Sequence, residues 1–140
     1  MLAKKIKMAD RQYNSQSVHD KVISKTKNFI NQNDYDIYEN PGGYKNAGIN
    51  DNYPDIILTL KGTTTVEFII EVETSDSINL NEAINQWKKY STEIRATFYL
   101  LVPYNFKNIA SNLCRRIGIS ARMGTYQQDA FGNIINIIFD

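Results

Sequence analysis

Two short runs and the turn between them limit this chain more than any other feature. Residues 54–60 (PDIILTL) and 66–74 (VEFIIEVET) are rich in β-branched and apolar side chains, and Lys61-Gly62-Thr63-Thr64 separates them. β-branched runs favour pleated backbone, and a glycine-containing break of this length is a hairpin signal. Side chains alternate across a strand, so one register puts Ile56, Leu58, Leu60, Val66, Phe68, Ile70 and Val72 on a single apolar face. In that register Asp55 falls opposite Glu71 on the other face, and Glu73 follows two residues on. The pattern predicts a β-hairpin with an apolar side and an acidic side.

Carboxylates placed opposite one another repel and destabilise a strand pair unless positive charge sits among them. A hard cation such as Mg²⁺ or Mn²⁺ is one solution, held by carboxylate oxygens with water filling its remaining positions. A solvated strand face is the ordinary alternative. Ile57 and Ile69 share the acidic face, which argues that it is partly covered.

The 140 residues suit a single domain spanning 1–140, with residues 1–14 read as a flexible or accessory leader. With 42% hydrophobic and 22% charged residues, the composition is that of a globular protein. One cysteine, Cys114, excludes an intrachain disulfide, and with one histidine, His19, the ligands for an ordinary structural zinc are missing. The Lys-rich opening is not followed by an apolar run, and no stretch approaches membrane-spanning length. The expectation is a cytoplasmic protein with no membrane partner. A net charge of +1 gives no global basic signature, although Lys4, Lys5 and Lys7, Lys88–Lys89 and Arg115–Arg116 form local clusters.

The rest of the chain predicts an α/β order. Residues 17–30 suit a helix with Ser17 and Asp20 as a capping box and Val18, Val22, Ile23, Phe29 and Ile30 as its apolar stripe. Residues 35–39 suit a strand, and residues 40–53 a turn-rich loop that is either a binding loop or mobile. After the hairpin, a helix is expected over 80–92 with Asn79 as N-cap, then an apolar strand over 96–103 buried on both faces. A helix over 108–117 and strands over 123–127 and 134–139, joined by a turn at 129–133, close the chain.

In the 80–92 helix, Leu80, Ala83, Ile84, Trp87 and Ser91 share one side at helical spacing. Gln86 and Tyr90, four apart, run along the edge of that stripe, where they either look across at the acids or pack as ordinary helix-edge residues. Lys89 lies further out on the Gln86 side, and Lys88 leans to the opposite flank. Pro54-Asp55 at a strand start, Glu71-Val72-Glu73 at a strand end and Gln86-Trp87-Lys88-Lys89-Tyr90 on the next helix come in an order that resembles the PD-(D/E)XK nuclease superfamily. That group includes restriction endonucleases, Holliday junction resolvases and RecB-like exonucleases. The resemblance spans roughly residues 17–103, and its third element is similar to the QxxxY motif of the RecB-like branch.

The resemblance implies a restriction endonuclease-like αβββαβ core, a central mixed sheet flanked by helices, and Mg²⁺-dependent hydrolysis of DNA, with Mn²⁺ able to substitute. Asp55, Glu71 and the carbonyl of Val72 would hold the metal. Glu73 replaces the family lysine and would accept a proton or ligate a second ion. Gln86 and Tyr90 would orient phosphate or nucleophile, Lys89 is the candidate for a migrated lysine, and Asp20 is the nearest match to the acid the family's first helix often offers. The missing lysine leaves an alternative, an inactive nuclease-fold protein that binds nucleic acid or a protein partner. Cutting both strands of a duplex implies a homodimer, with the 108–117 helix and the closing strands as the expected contact surface.

Overall fold

Strand β4 (Thr97–Pro103) organises the molecule, because its side chains are buried on both faces. Phe98, Leu100 and Val102 enter one core, and Tyr99 and Leu101 enter the other. A strand covered twice needs helices above and below it, and the computed structural model, which describes residues 13–43 and 45–140, has them. Helix α1 (Tyr13–Phe29) contributes Val22 and Ile23 to the second core. On the first core lie the short helix α2 (Leu80–Glu82), a π-helical segment (Ala83–Trp87) that continues it, helix α3 (Lys88–Glu93) and helix α4 (Lys107–Ile117).

Six strands form one mixed sheet in the order β1 to β6: β1 (Tyr35–Glu39), β2 (Ile56–Leu60), β3 (Val66–Val72), β4, β5 (Arg122–Gln128) and β6 (Ile134–Phe139). The first three make an antiparallel meander, β3, β4 and β5 are parallel, and β6 returns antiparallel. Parallel neighbours cannot be joined by a tight turn. The α2–α3 segment and then α4 make the two crossovers, and both lie on one face. The molecule is therefore an α/β protein. No helix among the described residues is long and apolar enough to cross a membrane.

The hairpin register is the one the sequence predicts, with Ile56 opposite Ile70 and Leu58 opposite Phe68. A bulge between Leu58 and Thr59 then breaks the alternation. An extra residue on one strand turns the next side chain to the other face. Val66 accordingly packs on the core under α3 and α4, and Leu60 is exposed, so neither completes the expected apolar face. Gly62 turns the hairpin with φ +75°, a left-handed conformation that suits glycine.

Two helix expectations are corrected. Helix α1 begins at Tyr13, which places Ser17 in its interior, where it cannot act as a cap. Residues 13 and 14 therefore belong to α1. The rest of the expected leader, with Lys4, Lys5 and Lys7, falls outside the described residues. In the second helical region Asn79 does cap, accepting from the Glu82 amide at 3.0 Å. Its buried side is turned, however: Glu82, Ala83, Trp87, Tyr90 and Ile94 face the sheet, and Leu80 and Ile84 are exposed. A π turn holds more residues than an α turn and so rotates the phase of what precedes it.

Candidate active site

β2 begins at Ile56 and β3 ends at Val72, so Asp55 and Glu71 stand where the hairpin ladder runs out. Their side chains take over from the backbone. Asp55 Oδ2 accepts from the Val72 amide at 2.7 Å, and Glu71 Oε1 accepts from the Asp55 amide at 3.1 Å. Both residues are buried. Burial, followed by the charges of Asp55 and Glu73 and a side-chain hydrogen bond with Asp55, pushes the Glu71 carboxyl well above the ordinary range, and the Asp55 amide offsets this only partly. Two acids this close do not both ionise cheaply in the absence of a cation.

The crossover helix covers the acids from one side. With its amide turned so that nitrogen faces the carboxylates, Gln86 donates to Glu71 Oε2 at 3.0 Å and to Glu82 Oε2 at 3.1 Å. Trp87 Nε1 donates to Glu73 Oε1 at 3.0 Å, and Ser77 Oγ donates to Glu73 Oε2. The Glu73 side chain is completely buried, and Tyr126 donates to its main-chain carbonyl at 2.8 Å. Tyr90 is also buried, not at the helix edge. Burial and the charges of Glu71, Asp55, Glu73 and Glu82 raise its pKa far above that of a free phenol, so its hydroxyl keeps its proton and can donate only a hydrogen bond.

Helix α1 closes the opposite side. His19 Nε2 lies 3.0 Å from Asp55 Oδ2, and its Nδ1 lies 2.9 Å from Asp20 Oδ1. An imidazole whose two nitrogens both face carboxylates donates to both in its charged form. Asp20 also accepts from Gln16 Nε2 at 3.1 Å and from the Gly42 amide at 3.2 Å. Burial opposes its ionisation, but His19 and these donors outweigh burial and leave the Asp20 carboxyl below its usual range. Asp20 thus supports His19, which in turn contacts Asp55.

Of the residues singled out in the sequence, Asp55, Glu71, Val72, Gln86 and Tyr90 come together, and Glu73 sits behind them in the core. Lys89 is exposed on a cleft of about 200 Å³ that Gln86 and Tyr90 also line. Lys88 turns away and donates to the Ile117 carbonyl at 3.2 Å. Sequence reasoning missed His19 and Glu82 as parts of the site. Glu82 had a readable signal, since it precedes Gln86 and Tyr90 by four and eight residues on one helix side. His19 had none, because its partner lies across the sheet.

Among the described residues no three His, Cys, Asp or Glu side chains converge as a ready-made cation site. The carboxylates that can serve one are Asp55 and Glu71. A larger cleft of about 680 Å³, lined by Asn14, Thr74, Tyr104 and Tyr126 among others, includes none of these acids. Comparison of the chain with protein families, with curated proteins and with solved structures finds no match.

Proposed function

We propose that this protein is a Mg²⁺-dependent DNA endonuclease on a restriction endonuclease-like αβββαβ core. The supporting observation is the pairing of Asp55 with Glu71 at the open end of an antiparallel hairpin, with Gln86 of the crossover helix bonded to Glu71. The order of α1, the β1–β3 meander, the crossover and a parallel β4 accords with that core. The donor set fits the ion. Mg²⁺ binds through one or two protein carboxylates and keeps water and phosphate oxygens in its other positions, and a bound cation would offset the burial and the neighbouring charges that raise the Glu71 pKa.

Asp55, Glu71 and the Val72 carbonyl would hold the ion. Bound there, it would lower the pKa of a water molecule and offset charge on the scissile phosphate. Gln86 keeps Glu71 in position, and His19, backed by Asp20, does the same for Asp55. Tyr90 offers a protonated hydroxyl near the acids, and Lys89 offers positive charge on the neighbouring cleft. Two sites are needed to cut both strands, so we read the working unit as a two-fold homodimer. A monomer by light scattering would make it a nickase instead.

The test is cleavage of supercoiled, single-stranded and branched DNA with Mg²⁺ or Mn²⁺. The wild type should cut at least one substrate, and Asp55→Asn or Glu71→Gln should abolish cutting while binding persists. One observation favours a second reading, an inactive nuclease-fold protein that binds nucleic acid or a protein partner. Where the family carries lysine, this chain carries Glu73, and Trp87 and Ser77 hold it in the core. Binding without cleavage of any substrate selects that reading.

A further inference from the structure

The loop between β1 and β2 supplies Lys45, Asp51, Asn52 and Tyr53 to the cleft that Gln86, Lys89 and Tyr90 line, and it is tied down at two points. Asn40, buried at its base, donates to the carbonyls of Ala47 (2.6 Å) and Pro54 (2.7 Å) and accepts from the amides of Asn46 (2.8 Å) and Ala47 (2.7 Å). One side chain thus joins the two ends of the loop. At the far end Ile49 and Asn52 pair across a tight turn in which Asn50 and Asp51 have φ of 51° and 63°. Asn50 Nδ2 donates to the Glu93 carbonyl at 3.1 Å, and Asn52 Nδ2 donates to Glu93 Oε1 at 3.3 Å. The loop is therefore bonded to the end of α3, one turn beyond Lys89 and Tyr90.

This scaffold presents a particular side chain. A Cβ on Gly48 would lie 2.6 Å from the Tyr53 ring, so the ring packs closely against bare backbone. The ammonium of Lys45 sits 4.9 Å from the centre of that ring. A cation over an aromatic face is held in place without being neutralised. Among the described residues no carboxylate pairs with Lys45 or Lys89, and the one acid lining the cleft, Asp51, leaves it net positive.

We propose that Lys45 and Lys89 form a phosphate clamp that seats the DNA backbone on this cleft, with Tyr53 as the positioning residue for Lys45. The inference rests on the hydrolase reading and deepens it. A polyanion approaching Asp55 and Glu71 is repelled at close range, and fixed positive charge beside them reverses the local field. Gln86 reaches from the cleft to Glu71, so a phosphate held between the lysines lies next to the acid pair. Lysine suits this role as a compact charge with rotatable donors.

The measurement is fluorescence anisotropy of a labelled DNA oligonucleotide in EDTA, across a range of salt, with each variant's fold checked by circular dichroism. Lys45→Ala should weaken binding about five- to tenfold and reduce the salt slope by about one, the signature of a lost phosphate contact. Lys45→Arg should restore both. Tyr53→Phe should bind like the wild type, whereas Tyr53→Leu should behave like Lys45→Ala. An unchanged affinity and slope in folded Lys45→Ala, or a wild type that does not bind the oligonucleotide, overturns the clamp. Binding that depends on Lys45 in a protein that cuts no substrate overturns the hydrolase reading and leaves the clamp standing. Normal cleavage with a Lys45-independent salt slope does the reverse.

Discussion

Replacing Trp87 with phenylalanine removes the buried indole donor from Glu73 while keeping an aromatic ring in the core. The indole nitrogen lies 3.0 Å from Glu73 Oε1, and both residues are fully buried. A hydrogen bond to a charged group is worth about 1.5–3 kcal/mol when its partner is left behind. The smaller ring also leaves roughly 35 Å³ of void, which costs about 1 kcal/mol. The expected loss is therefore about 3 kcal/mol, on the order of a 10 °C fall in Tm for a chain of this size. Urea unfolding followed by far-UV circular dichroism measures it, because the substitution removes the single tryptophan fluorophore. Ser77→Ala should cost a comparable amount, since it removes the donor to the other oxygen. A Trp87→Phe protein within about 1 kcal/mol of wild type would refute the claim that Glu73 is an internal anchor. The same reasoning applies to Glu73→Lys, which would install the lysine of the nuclease motif that the sequence resembles. An ammonium there would meet the Trp87 and Ser77 donors without an acceptor and lose about 3–5 kcal/mol, with no route to the cleft.

Burial, with the charges of Asp55 and Glu73, raises the folded pKa of Glu71 above its unfolded one. The Glu71 contribution to stability should therefore be fully present below the ordinary glutamate range and be lost as pH rises through the raised pKa; Glu71→Gln should remove that component of the slope in pH-dependent melts. Millimolar Mg²⁺ should raise Tm in wild type, by the equivalent of about 2.7 kcal/mol at a hundredfold excess over Kd, and should not do so in the Asp55→Ala, Glu71→Ala double variant. Gly124→Ala should cost about 1–3 kcal/mol in chemical unfolding, because its Cβ would fall 2.8 Å from the Phe139 ring and 3.1 Å from Leu101 Cδ1. Cys114 should resist thiol reagents in the folded state, since burial raises its pKa to about 11.

What the sequence determined by itself is local. Strand alternation set the hairpin register around Ile56 and Ile70 and so placed Asp55 opposite Glu71. The doubly apolar run in β4 required helices on both faces, and Asn79 marked a helix start through its own side chain. Each of these depends on residues a few positions apart, which periodicity can read. Tertiary structure decided the remainder. The bulge at Leu58 and Thr59 sent Val66 to the other core, and the π segment turned Glu82 and Tyr90 inward in place of Leu80 and Ile84. His19 meets Asp55 only because α1 packs across a sheet assembled from distant strands. Glu73 was legible as an acid near the site, but its role was not, because the donors that hold it there come from the loop after β3 and from a helix whose rotation no local pattern encodes. Such contacts are set by how layers pack, and packing depends on the whole chain at once.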